Sequence, residues 1–225
     1  MKVQIWSDIM CPFCYLGDQN LKNAIQEYSG NSNVEVEFKA FQLNPLQEKI
    51  ENPDNPINYT IKKGMPAERV RSSFGYIETE ARNLGLPIDL EHAKVVNSLD
   101  CLRLVKYAQS KNKYNEVKDA LFRGYFVEGK DLSDHQVLLD LAVASGLDKI
   151  ETERFLNSSE LTNEVENDRN LGISKGLQGV PFFVIDDQYV LSGNQSKEQF
   201  LKVFKKIKPT ESNQNSCNIE TGTCD

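Results

Sequence analysis

The apolar residues change their spacing twice along this chain, and those changes restrict its fold more than any other feature. Residues 2–7, KVQIWS, set Val3 and Ile5 in alternation with polar neighbours. Residues 34–41, VEVEFKAF, set Val34, Val36, Phe38 and Ala40 against Glu35, Glu37 and Lys39. A period of two marks half-buried strands. From 66 to 176 the spacing is mostly helical. At 179–193, GVPFFVIDDQYVLSG, it turns back to strand. Phe182 to Ile185 is a continuous apolar run suited to a buried strand, and 189–192, YVLS, is a second. The turn DDQ between them is too short for anything but antiparallel pairing.

The first helix is predicted to begin at the sequence CPFC, with Cys11 as N-cap and Pro12 as its first residue. Proline suits that position because its missing N–H and fixed φ cost nothing there. Cys14, Leu21, Ile25 and Tyr28 share one face, and Gly30 is the expected stop. Strand, helix and strand in this order imply parallel pairing through a right-handed crossover. Residues 44–65, with Pro45, Pro53 and Pro56, read as loop. Further helices are expected from Pro66 to Gly85, over 91–110, and over 113–128 ending at Gly129. Ser133 with Gln136 forms a capping box for the next, with an apolar face of Val137, Leu138, Leu141 and Ala144. Others are expected from Asp148 with Glu151 and over 160–171. The last is capped by Ser196 with Gln199 and faces inward with Phe200, Leu201, Phe204 and Ile207. The result is an α/β chain. Residues 1–44 and 177–208 make a small sheet domain, 45–176 a helical insertion, and 209–225 a polar, flexible tail.

Two features of composition limit the chemistry. The formal net charge of −7 argues against nucleic acid or an anionic membrane as the main partner. No run approaches the roughly 20 apolar residues of a membrane span. The opening MKVQIWSD lacks the apolar core of a signal peptide, so a cytoplasmic location is expected. Structural disulfides are rare there, which leaves redox exchange or metal binding for a C-x-x-C.

The five cysteines are Cys11, Cys14, Cys101, Cys217 and Cys224. Residues i and i+3 share one side of a helix, so Cys11 and Cys14 can come within bonding distance. The free N–H groups and dipole of the helix end favour a thiolate at Cys11, below the ordinary pKa of about 8.5. Cys14, one turn in, is the more buried thiol. That asymmetry separates an exposed nucleophile from a resolving thiol. Gly17, one turn further on, permits close packing. Zinc would need four ligands, and Cys217 with Cys224 could supply two, at a loose spacing. The same tail pair could instead shuttle electrons to Cys11–Cys14 or be a spectator disulfide. Cys101 lies mid-helix among leucines and reads as a buried, inert thiol. Asp8 reads as a turn residue, with proton transfer at the cysteines as the alternative. His92 and His135 read as solvated residues near helix starts, and Trp6 as core.

The stretches SDIMCPFCYLG, FQLNP, LFRGYFVEGKDLSD and GVPFFVIDDQYVLSGNQ together resemble the FrnE-like branch of the DsbA oxidoreductases. The resemblance runs to about residue 207. It implies a thioredoxin-like fold with an inserted all-helical domain, and thiol–disulfide exchange on protein or peptide substrates. Carried over by position, Cys11 is the nucleophile, Cys14 the resolving thiol, and Pro12 with Phe13 the dipeptide that tunes the potential. Pro181 matches the family's cis-proline, and Val180 before it would pair with a bound peptide in strand fashion. The family implies no prosthetic group and no metal, with glutathione a candidate electron partner; monomer and dimer both stay open. Phe13 stands where many relatives have tryptophan, and Leu102 where they often have histidine. Two rivals remain: a glutathione-dependent transferase or isomerase of the same fold, and a zinc- or peptide-binding module.

Overall fold

A computed structural model describes residues 1–28, 34–48 and 53–207. Gly30 and the tail with Cys217 and Cys224, on which several expectations fall, lie outside the described residues. The chain opens with β1 (Lys2–Ser7), α1 (Pro12–Tyr28) and β2 (Glu35–Ala40). Strands β1 and β2 are parallel, with Val3 opposite Val36, Ile5 opposite Phe38 and Ser7 opposite Ala40. The alternation of both strands therefore aims one apolar set at a single face.

Helices fill the chain between β2 and the next strand: α2 (Pro56–Lys62), α3 (Ala67–Asn83), α4 (Leu99–Ser110), α5 (Tyr114–Phe126), α6 (His135–Ala144), α7 (Lys149–Leu156) and α8 (Thr162–Ser174). Then come β3 (Phe182–Ile185), β4 (Tyr189–Ser192) and α9 (Lys197–Phe204). Among the described residues the sheet order is β2-β1-β3-β4, with β3 antiparallel to both β1 and β4. The three-residue β3–β4 turn is closed by the Gln188 N–H on the Ile185 carbonyl at 3.1 Å and holds Asp186 and Asp187 at φ 48° and 54°, in the left-handed region.

The two faces of the sheet have different covers. Val3, Ile5, Phe183 and Ile185 pack with Leu21 and Ala24 of α1 and with Phe200, Leu201, Val203 and Phe204 of α9. Phe183 and Phe200 meet edge to face at 4.9 Å, a geometry worth about 0.5–1.5 kcal/mol beyond burial. On the opposite face Trp6 packs with Phe182, Val184 and Leu177. Its indole Nε1–H donates to the Asp168 carbonyl of α8 at 2.7 Å. A Cβ at Gly172 would sit 2.7 Å from that nitrogen, so α8 can lie on Trp6 only with glycine there. The Asp168 carboxylate accepts from the Ala40 N–H at 3.0 Å and from Lys106 of α4, tying the inserted helices to the end of β2.

Several expected elements are corrected. The segment 44–65 is not all loop: Asn55 accepts the Asn58 N–H at 2.8 Å and Pro56 opens α2. Proline here starts a helix rather than excluding one. The helix expected over 91–110 begins at Leu99, and 93–98 has no regular structure. The Val95 N–H is taken by the Asp54 carbonyl, and the Asn97 side chain accepts the Leu99 N–H, so tertiary and cap bonds replace helical ones. Asp134, not Ser133, caps α6 by accepting the Gln136 N–H; Ser133 bonds Asp131 instead. Leu138, Leu139 and Ala142 are buried in α6, and Val137 and Leu141 pack against the same core, so of the expected face only Ala144 is exposed. The caps at Asp148 and Ser196 are as expected. His135 opens α6, its Nε2 2.9 Å from Asp100 Oδ2, whereas His92 sits in a turn against Asp89, not at a helix start. No helix among the described residues is long and apolar enough to cross a membrane.

Candidate active site

The site is built where β1 ends. Asp8 is buried, and its carboxylate accepts from the Met10 N–H at 3.1 Å, the Leu43 N–H at 2.8 Å and the Ser98 hydroxyl at 3.1 Å. It thus joins the loop before the cysteines, the loop after β2 and the start of α4. Burial pushes its pKa above the usual carboxylate value, against the pull of those donors. Its carbonyl accepts the Cys11 N–H at 3.1 Å, which sets the chain into α1.

The Cys11 carbonyl then takes the Cys14 and Tyr15 N–H groups at 3.0 and 3.3 Å, the first turn of the helix. Tyr15 stacks on Phe122 at 4.9 Å and on Phe126 at 5.7 Å, so α5 fixes the rotation of this turn. One turn later Asp18 is buried with Lys118 of α5, and Lys22 adds a second ammonium at 3.1 Å. Burial alone would raise the Asp18 pKa, but the charges of Lys118 and Lys22 outweigh it and hold the carboxyl below its usual range.

Cys11 and Cys14 are both free thiols here. The expected contrast between an exposed and a buried sulfur is weaker than the sequence suggested. Cys11 is 5% exposed and Cys14 0%. Both belong to an apolar cluster against which Met10 and Val180 pack. The exposed member of the motif is Phe13, at 37%. Cys14 is pushed well above the ordinary thiol pKa by burial first and by its neighbour Cys11 second.

The loop before β3 supplies the other wall. Its Val180 carbonyl lies 3.7 Å from the Cys11 Sγ, 169 residues away in sequence. The Val180–Pro181 peptide bond is cis. The Pro181 carbonyl accepts the Gly193 N–H at 2.8 Å, which anchors the loop to the end of β4. Cys11, Pro12, Val180 and Pro181 are therefore brought to one place, with Phe13 at its rim. Leu102, where relatives often carry histidine, is buried in the same apolar cluster as Cys14. Cys101 is buried as expected, with burial raising its pKa well above the ordinary thiol value.

Two features escaped sequence reasoning. Ser7 is buried at the end of β1. Its signal was available: Ser7 continues the inward phase of Val3 and Ile5, an unusual place for a hydroxyl. The contact of Ser98 with Asp8 had no such signal, because the segment around it read as helix.

Comparison with known proteins agrees with this architecture. The Bacillus subtilis (strain 168) protein named "Uncharacterized protein YwbO" is 26% identical over 205 residues, covering 90% of this chain and 94% of the other. A solved structure described as a probable DsbA oxidoreductase, SCO1869, from Streptomyces coelicolor, superposes with a TM-score of 0.86 at 29% identity, covering 100% of this chain and 98% of that one. The cytosolic disulfide reductase DsbM of Pseudomonas aeruginosa shares the fold at a TM-score of 0.64 and 18% identity, covering 92% of this chain and 98% of its own. Residues 2–205 match the family described as DSBA-like thioredoxin domain, and the chain belongs to that family.

Proposed function

We propose that this protein is a thiol–disulfide oxidoreductase that exchanges disulfides with protein or peptide substrates through Cys11 and Cys14, without a prosthetic group. The observation that carries the reading is the pairing of two free thiols, three residues apart at the N-terminus of α1, with the Val180 carbonyl 3.7 Å from Cys11. A charge forming at Cys11 meets the free N–H groups of the first turn. Cys11 attacks a substrate disulfide and forms a mixed disulfide. Cys14 then attacks Cys11, the internal disulfide closes, and the substrate thiol leaves with the proton. The reverse sequence oxidises a substrate dithiol. Pro12 and Phe13 tune the couple, and the Val180–Pro181 loop receives the substrate backbone. Phe13 and Leu43, both partly exposed, supply an apolar rim for its side chains.

A cytoplasmic location and glutathione as an electron partner fit the same reading. They are supported by the cytosolic disulfide reductase DsbM, whose structure has also been solved with GSH. The isomerase alternative draws on 2-hydroxychromene-2-carboxylate isomerase, which shares this fold at a TM-score of 0.67. Two thiols three residues apart favour exchange over that chemistry. The test is catalysed reduction of a protein disulfide by thiol. Cys11→Ser abolishes it and Cys14→Ser accumulates mixed disulfides; full activity in Cys11→Ser overturns the reading. Stoichiometric zinc in protein purified under reducing conditions overturns it as well.

A further inference from the structure

One cation beside the site has no anion. Helix α8 lies against the ends of β1 and β2: the Asp168 carbonyl accepts the Trp6 indole N–H, and its carboxylate accepts the Ala40 N–H. That carboxylate is also taken by Lys106, with Lys39 at 3.6 Å. The next residue, Arg169, sets its guanidinium over the Phe41 ring, 5.8 Å from the centroid. Among the described residues Arg169 makes no ion pair, and its Nε–H is buried without an acceptor. Buried polar groups nearly always find partners, and a guanidinium carries five donors to satisfy.

Phe41 links this cation to the cysteines. Its N–H donates to the Ser7 carbonyl at 3.1 Å, at the strand end that leads into the cysteine motif. Phe41 and Val180 pack against the same cluster of Trp6, Leu177, Phe182 and Val184. The Val180 carbonyl is the one 3.7 Å from the Cys11 Sγ. Phe41, Arg169 and Val180 are all partly exposed, so this edge is open to a ligand.

We propose that Arg169 is a specificity-determining residue that binds a carboxylate of the thiol or disulfide substrate. This deepens the oxidoreductase reading and rests on it. A substrate chain extended along Val180 advances about 3.3 Å per residue, so the acidic group belongs to a residue close to the substrate cysteine. A carboxylate offers paired acceptors to the guanidinium fork, and the Phe41 ring supports its face. The chain's net charge of −7 repels an acidic ligand at long range, so its recognition needs a local cation. An acidic side chain of a polypeptide and a carboxylate of glutathione present the same chemistry.

The test uses the full chain, reduced, with Cys217→Ser and Cys224→Ser. Cysteine peptides are linked as mixed disulfides to a coloured nitrothiophenolate. They carry either Glu or Gln, moved through the positions on both sides of the cysteine. Attack by Cys11 on the peptide sulfur releases the thiophenolate, and its second-order rate is read. At one or more positions Glu should react about tenfold faster than Gln, the low end for a hydrogen bond between charged groups. That preference should shrink with added salt, vanish in Arg169→Met and persist in Arg169→Lys, while the Gln peptides keep their rate. The glutathione mixed disulfide, compared with its diester, assigns the source: a preference there that needs Arg169 points to glutathione, and one confined to the Glu peptides points to a polypeptide. Glu no better than Gln at every position, with no preference for glutathione over its diester, overturns the role of Arg169, and so does a preference that survives Arg169→Met. Equal slowing of Glu and Gln peptides in that variant makes the residue structural and overturns it too. The salt dependence of the parent needs no variant, so it decides even if Arg169→Met does not fold. Release from the Gln peptides that is as fast in Cys11→Ser as in the parent overturns the oxidoreductase reading, and the role of Arg169 with it.

Discussion

Gly17 and Pro181 touch. A Cβ at Gly17 would lie 3.0 Å from the proline Cγ and 3.3 Å from Phe183 Cζ. The helix that carries the cysteines therefore rests directly on the loop that faces Cys11, and the absent side chain sets their separation.

Gly17→Ala should separate the two walls of the site without unfolding the chain. The proline ring and the buried Phe183 ring cannot swing away as a flexible, exposed side chain could, so α1 or the loop must shift. Overpacking of this kind costs about 1–3 kcal/mol. The expected result is a lower midpoint in urea and a loss of disulfide exchange larger than the stability loss explains. Exchange at the wild-type rate in a folded Gly17→Ala protein contradicts the contact.

Asp134→Ala should destabilise the protein by about 1 kcal/mol, the usual worth of an N-cap. Ser133→Ala should cost less, since its hydroxyl bonds Asp131 rather than the helix. The sequence pattern favours the opposite order. Urea unfolding of the two variants decides between them.

This cap shows where sequence reading stops. Ser133 and Asp134 are both good caps, and the choice falls to Asp134 because the Ser133 hydroxyl is turned to Asp131. The outer elements were legible because their signals are local: alternation in β1 and β2, Pro12 at the first helical position, a buried run in β3. Helix α2 was hidden because three prolines argued for loop, although Asn55 before Pro56 was a cap. The early part of the 91–110 prediction failed for a different reason. Val95 and Ser98 are held by Asp54 and Asp8, partners distant in sequence. The site divided in the same way. Cys11 and Cys14 stand out from their spacing alone. Their approach to Val180 is long-range and entered only through resemblance. The contact of Gly17 with Pro181 left no sequence signal beyond a helical glycine.

Lys118→Met should cost about 3 kcal/mol, because it strands the buried Asp18 carboxylate with Lys22 alone. The double variant Asp18→Asn with Lys118→Met should regain most of the loss, since replacing both partners of a buried pair is far milder than removing one. A double-mutant cycle by urea denaturation measures the coupling. Additive losses would show that the pair does not hold α1 to α5.

Asp8 and Asp18 flank the cysteines and should give stability opposite pH signatures. The folded pKa of Asp18 lies below the ordinary 3.8. Its contribution is fully present above that value and is lost as pH falls through the folded pKa. The folded pKa of Asp8 lies above 3.8. Its contribution is therefore present below that value and is lost as pH rises through the folded pKa. Each difference can change by at most about 1.4 kcal/mol per pH unit. Unfolding free energies measured from acid to neutral pH for wild type, Asp8→Asn and Asp18→Asn read this directly. Wild type minus Asp18→Asn should decline on acidification below about pH 4, and wild type minus Asp8→Asn should decline on going upward from there. The same sign for both would mean that the lysines do not govern Asp18, or that the three donors on Asp8 outweigh its burial.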